Sequence, residues 1–310
     1  MRYLNIPSID KPISRIALGT ASYSPNSYAR AAELLDAFVE GGGTCVDTAH
    51  GYGRGASERA LGMWLAERGN RDQIVVLGKG CHPIGDSGPR VGPRFIHADL
   101  AESLERLKTD YIDLYLLHRD DESVPVGAIV EALNEEHAAS RIRAFGGSNW
   151  RTARIAEANT YAAERGMVGF AASSINLSLA RPKEPMWAGC IAADNEARAW
   201  HAATQLPLFS WSSQAGGFLS GHFAPEDTSN TDLVRVYYSD DNFERLRRAT
   251  ELGKQKGVGP IVIALAYVLS QPFPTVPLVG SASVAELNES LRALQIELTP
   301  EELAYLDLKG

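Results

Sequence analysis

Cysteine is scarce: Cys45, Cys81 and Cys190 lie far apart with no CxxC pair, which excludes a disulfide framework and a structural zinc site. An excess of positive charge is lacking too. The 30 Lys and Arg stand against 38 Asp and Glu, a net charge of −8, which speaks against a nucleic-acid-binding surface and against an anionic membrane surface. No apolar run is long, since the longest, 261–269, is under half of the roughly 20 residues a membrane helix needs. The N-terminal stretch MRYLNIPSIDKPISR has no apolar segment behind Arg2 and does not read as a secretory signal. A cytoplasmic chain acting on a small molecule, with neither nucleic acid nor membrane as partner, is the expectation. No Pro/Gly/Ser-rich linker, internal repeat or low-complexity tract divides the 310 residues, so 1–310 reads as one domain; the sequence says nothing of its oligomeric state.

What is present is alternation. Eight short β-branched or apolar runs, 15–18, 44–48, 74–78, 112–117, 143–147, 169–175, 206–210 and 275–279, are each followed by a stretch with helical spacing. The clearest helix, 94–107, carries Ile96, Leu100, Leu104 and Leu107 on one stripe. Others start near Tyr28, Ser57, Val126, Thr152, Asn195, Asn242, Pro260 and Ser283. A closing helix, 299–308, opens Thr-Pro-Glu-Glu, an N-cap followed by proline and acidic residues on the positive end of the helix dipole. Eight βα units in one chain predict an α/β fold, a closed (β/α)8 TIM barrel. The stretch 213–241, with poor periodicity and Gly216, Gly217, Gly221 and Pro225, reads as a long loop at the catalytic face.

In such a barrel the C-terminal strand ends share one rim. Strand two runs into Asp47 and on to Tyr52, strand three ends at Lys79, and strand four runs into His118, so four titratable groups converge from adjacent strands. Taken singly, each has a bland reading: a capping Asp, a half-exposed loop Tyr, a satisfied core His. Taken together, a lysine held by an aspartate favours the phenolate of a neighbouring tyrosine and makes that tyrosine a usable proton donor. A histidine opposite adds a hydrogen bond to a carbonyl oxygen, and the pair stabilises the oxyanion formed when hydride reaches carbon.

The strings VDTAHGYG, SERALG, GK, LLHRD, GGSN, FSWSSQAGGFLSG and PLVGSASVAELNES, in that order, resemble the aldo-keto reductase family over residues 13 to 304. The resemblance implies a barrel enzyme binding an extended nicotinamide dinucleotide, NADP(H) or NAD(H), with Tyr52 as general acid or base and Asp47, Lys79 and His118 completing the tetrad. It carries cofactor positions onto Gly19, Thr20 and Ala21 after the first strand, Asp47 again, and Ser148 and Asn149 at the carboxamide. Ser174 follows strand six, Trp211 stacks on the nicotinamide, and Ser212, Gln214 and Gly216 lie along the pyrophosphate. Gly280, Ser281 and Ala282 lead to the helix facing the adenosine phosphate, with Glu289 at the adenine.

Two departures from the family pattern stand out. Ser174 and Leu177 occupy positions where the family has Gln and an aromatic, and Ala282 and Glu286 stand where members preferring NADP place Arg or Lys for the 2′-phosphate. Glu286 fits two roles, the capping-box Glu of Ser283-Val284-Ala285-Glu286 or a selector against that phosphate. Arg292, further along, reads as a solvated helix residue. Three other readings compete. Gly51-Tyr52-Gly53-Arg54-Gly55-Ala56 approaches a Rossmann GxGxxA, but the next strand ends on Lys79 where that motif needs an acid. Asp47, His50, Lys79, His82 and His118 suit a metal-dependent barrel hydrolase, although the later strands end in Ser148-Asn149, Ser174, Ser212 and Gly280. The third is a nicotinamide-binding regulatory subunit. For the substrate, Tyr23, His50 and Trp150, with the loop near Phe218 and His222, are the candidate pocket residues. With little chain after Leu308 to cover the mouth, a more open site for a polar carbonyl such as a sugar or a small aldehyde is expected.

Overall fold

The computed structural model describes residues 1–85 and 88–309. Two short strands, β1 (Tyr3–Leu4) and β2 (Ile13–Ser14), form an antiparallel pair ahead of the barrel. The barrel strands follow as β3 (Ala17–Gly19), β4 (Cys45–Asp47), β5 (Val75–Gly80), β6 (Ile112–Leu117), β7 (Ile142–Ser148), β8 (Ala172–Ser174), β9 (Leu208–Ser210) and β10 (Thr275–Val279). They close in the order β10-β3-β4-β5-β6-β7-β8-β9, every pair parallel. This is the expected (β/α)8 TIM barrel.

Period-two alternation sorts each strand into two environments. Cys45, Val75, Leu77, Leu114, Leu116, Ala144, Ala172, Phe209 and Val276 fill the barrel interior, and Ile6, Ile9 and Ile13 of the N-terminal segment pack against them. The intervening Val46, Val76, Tyr115, Leu117 and Phe145 lie in a second apolar layer beneath the helices. Continuing the inward set by two residues reaches Asp47 on β4 and Lys79 on β5, so the apolar interior ends in a charged layer. Gly80 follows Lys79 because a Cβ there would fall 1.8 Å from the Tyr115 hydroxyl.

The outer helices are α1 (Tyr28–Glu40), α2 (Ala56–Arg68), α3 (Pro93–Leu107), α4 (Val126–Ala138), α5 (Thr152–Glu164), α6 (Asn195–Thr204), α7 (Thr231–Tyr237), α8 (Asp240–Lys256), α9 (Pro260–Leu269), α10 (Val284–Leu291) and α11 (Pro300–Leu306). The longest apolar run is α9, buried from Val262 to Val268, which is why it has no polar face. Helix α11 closes the outside through a capping box of Thr299 and Glu302, and Arg248 Nη1 of α8 donates to Tyr305 O at 2.7 Å. The stretch expected as one long loop contains a 3-10 segment, Ala215–Ser220, and the helix α7. Asn230 caps α7, and Leu233, Val236 and Tyr237 give it an apolar face of only one turn, too short for periodicity to reveal. Among the described residues no helix is long and apolar enough to cross a membrane.

Candidate active site

The loop from β4 to α2 turns sharply after Tyr52: Gly53, Arg54 and Gly55 follow one another at φ 56°, 54° and 82°. Nine non-glycine residues among those described have left-handed backbone, and five of them, Arg54, Cys81, Asn149, Ser212 and Ala215, lie in loops at the C-terminal ends of the strands. Strained backbone concentrated at one rim is a mark of a functional surface.

Lys79 Nζ pairs with Asp47 Oδ1, both side chains buried, and lies 3.3 Å from the Tyr52 hydroxyl. The Tyr52 ring meets His118 edge-on, with 5.7 Å between centroids, and His82 packs on the other side of His118 at 4.7 Å. Burial alone favours the neutral amine of Lys79, but Asp47 and Tyr52 outweigh it and raise its pKa, so the ammonium persists. Burial pushes the Tyr52 phenol above its usual 10.0, more than Lys79 lowers it. The direction is opposite to the one expected from the lysine alone, because a phenolate at this half-buried position loses more to desolvation than one ammonium returns. Tyr52 is therefore protonated at neutral pH. His118 titrates well below 6.5, first through burial and then through Lys79, His82 and Arg119, so its imidazole is neutral, and its Nδ1 is buried without a protein partner.

These groups line one cavity of about 1280 Å³. Gly19, Ala21, Ser148, Asn149, Trp211, Ser212, Gln214, Gly216, Gly280, Ser281 and Glu289 line it as well. Asn149 Nδ2 donates to His118 O at 3.2 Å, tying β7 to the rim beside β6. Other candidates do not reach the cavity. Thr20 is buried on Asp47 O and Ser57, Ser174 lies buried behind the lining with its hydroxyl unpartnered, and Ala282 donates its N–H to Glu286 Oε2 at 2.8 Å. Of the substrate candidates only His222 lines it: Tyr23 and Trp150 are buried in the outer layer, with Trp150 Nε1 donating to Arg119 O at 3.0 Å, Phe218 is buried, and His50 turns to Glu102 at 3.0 Å. His50 thereby leaves the ligand set of the metal-hydrolase reading, and among the described residues no His, Cys, Asp and Glu cluster gathers with metal-holding geometry.

Arg119, Trp187 and Cys190, which no motif marks as site residues, also line the cavity. Trp187 is 57% exposed and its ring lies 5.9 Å from that of Trp211. Arg119 donates to His118 O at 2.9 Å and Ala188 O at 3.3 Å, fastening this segment over the site. The available signal was the length of chain between β8 and α6, 175–194, which has no helical or strand period.

An extended dinucleotide fits this lining. The Trp211 Nε1 and Ser281 Oγ atoms are buried without protein partners, and Gly216 and Gly217 hold the β9 loop at φ 61° and 90°. A Cβ on Gly217 or Gly280 would meet nothing within 4 Å. The sequence model of the Aldo/keto reductase family matches residues 15–309. The chain belongs to the aldo/keto reductase family. As a family member it is an NAD(P)-dependent oxidoreductase. It is similar to the uncharacterized oxidoreductase YrpG of Bacillus subtilis, 28% identical with 99% of this chain and 95% of that protein aligned. It is 30% identical to norsolorinic acid reductase stcV of Emericella nidulans over 88% of this chain and 70% of the relative. A Saccharomyces cerevisiae relative, AAD14, provisionally named an aryl-alcohol dehydrogenase, is 29% identical over 90% of this chain and 76% of its own length.

Proposed function

We propose that this aldo/keto reductase reduces an aldehyde or ketone to the alcohol, or runs the reverse reaction, with Tyr52 as general acid or base. The observation that carries this reading is the chain Asp47, Lys79, Tyr52, in which Lys79 Nζ stands 3.3 Å from the phenol beside a cavity large enough for nucleotide and substrate. Bound reduced nicotinamide supplies the hydride. Trp211 offers the ring to stack against it, and Ser148 and Asn149 are the groups for its carboxamide. Tyr52 delivers its proton to the oxygen of the substrate carbonyl, and the Lys79 ammonium, held by Asp47, stabilises the phenolate left behind. A neutral His118 donates one hydrogen bond to the same oxygen without competing as an acid.

The far end of the cavity is lined by Glu286 and Glu289. Glu286 is fixed there by Ala282 N, and Arg292 is occupied by Glu289 and Gly257 O. Two carboxylates repel a 2′-phosphate and accept hydrogen bonds from a 2′-hydroxyl, so NAD(H) is the preferred cofactor. The exposed Trp187 beside Trp211 makes an aromatic wall at the mouth, which supports an aryl carbonyl as the substrate class, in keeping with the aryl-alcohol dehydrogenase name of the yeast relative.

Tyr52→Phe tests the mechanism. Turnover of an aromatic aldehyde should fall roughly 10²–10⁴-fold with nucleotide affinity nearly unchanged, and near-normal turnover would refute the role given to Tyr52. Failure of the parent protein to consume NADH or NADPH with any carbonyl would favour the regulatory-subunit reading instead.

A further inference from the structure

Helix α3 presents one face to both loops that carry the reacting groups. Asp99, Glu102 and Arg106 lie at i, i+3 and i+7 on it. Buried Asp99 accepts from Cys81 N at 2.8 Å, two residues beyond Lys79, and from Arg90 Nη2 at 2.5 Å. Its Oδ2 also lies 3.7 Å from His50 Nδ1. Glu102 Oε2 meets His50 Nε2 at 3.0 Å and the Arg106 guanidinium. Arg106 Nη1 reaches back to His50 O and to Glu58 Oε2, each at 3.2 Å. Its guanidinium sits 2.7 Å from where a Cβ on Gly55 would be, closing the turn behind Tyr52. Finally, His50 N donates to Lys79 O at 2.8 Å.

His50 thus has both ring nitrogens facing carboxylates of α3 while its backbone joins the Tyr52 loop to β5. Ordinary helix packing would spread such bonds along α3. Here those that Asp99, Glu102 and Arg106 make outside the helix go to His50, Cys81, Arg90 and Glu58, in the segments flanking Tyr52 and Lys79. We propose that His50 is a positioning residue for the reduction: clamped by Glu102 and Asp99, it holds the Tyr52 phenol within hydrogen-bond reach of Lys79. The inference rests on the role given above to Tyr52.

The test compares His50→Leu with His50→Gln, whose amide can still reach Glu102. His50→Leu should lower kcat about 10- to 100-fold per folded molecule, with KM for the carbonyl and Kd for NADH within about twofold of the parent. His50→Gln should restore most of kcat. A crystal structure of His50→Leu should show the Tyr52 Oη to Lys79 Nζ separation, 3.3 Å in the parent, opened beyond about 3.5 Å. If His50→Leu does not fold, Glu102→Gln at the half-exposed carboxylate should cause a smaller kcat loss, roughly 3- to 10-fold, again at constant KM. An unchanged kcat, a raised KM at constant kcat, or an unaltered Tyr52 to Lys79 distance would each overturn the proposal. Should the parent turn over no carbonyl at all, the functional reading fails, while the crystallographic distance still decides whether His50 positions Tyr52.

Discussion

Two lysine–aspartate pairs, the upper one buried and the lower one partly so, occupy opposite ends of this barrel. At the bottom, Lys11 Nζ lies 2.7 Å from Asp113 Oδ1 and also reaches Arg71 O, Ile74 O and the Tyr111 hydroxyl at 3.2, 2.8 and 3.1 Å. Asp113 Oδ2 takes Val76 N at 2.9 Å and Arg71 Nη2 at 2.8 Å. Lys11, Arg71 and Arg143 all lie over the Tyr111 ring. At the top, Lys79 has only Asp47 and Tyr52, and nearby His118 Nδ1 and Trp211 Nε1 lack protein partners. The same ion pair serves two purposes. Where every donor is used it fastens the N-terminal segment to β5 and β6, and where donors are left over it faces a cavity built to hold something else.

That contrast breaks if the bottom pair matters to turnover. Asp113→Leu leaves Lys11 and Arg71 without their carboxylate and should cost about 3–5 kcal/mol in urea unfolding, with kcat per folded molecule unchanged. At the top, changes far from the ion pair should move affinity and leave stability alone. Glu286→Arg should shift the ratio of NADPH to NADH affinity by about tenfold toward NADPH, read by fluorescence titration; an unmoved ratio removes the selectivity assigned to Glu286.

The pH dependence of stability sharpens the comparison further. His118 has a depressed pKa in the folded protein, so below 6.5 the unfolded chain binds a proton there that the native state refuses. Stability is then full above 6.5 and falls as pH drops below it, by up to about 1.4 kcal/mol per unit for this group. His82 and His201, depressed first by burial as well, act in the same direction. The slope should shrink in His118→Gln, and an identical slope would show that the imidazole is not held neutral. The smallest effect is expected from Trp187→Ala, which should raise KM for an aromatic aldehyde by roughly 2- to 10-fold at constant kcat.

Legibility in the sequence followed the same division. Strand runs and their ends could be read because inward alternation is set by period two, and 112–117 and 275–279 match β6 and β10 residue for residue. The stretch 169–175 forms ladder only over Ala172–Ser174, with Ala171 N donating to Phe145 O of β7 at its leading end. The β1–β2 pair has two residues on each side, too few to alternate. Directions beyond the strand ends could not be read. Asn149, at φ 60°, reverses the chain after β7 and turns Trp150 into the outer layer, and His50 is drawn aside by carboxylates on α3, 49 and 52 residues away in sequence. Parity carries a residue to the rim, and left-handed turns and remote charges then decide which way it faces.

The most direct measurement is the single-turnover rate of hydride transfer from bound NADH to an aromatic aldehyde, taken for Lys79→Met and Lys11→Met at matched folded fraction. The account predicts that Lys79→Met loses about 10²-fold or more while Lys11→Met transfers hydride at the parent rate. Equal losses in the two variants, or a Lys79→Met enzyme that keeps the parent rate, would contradict it.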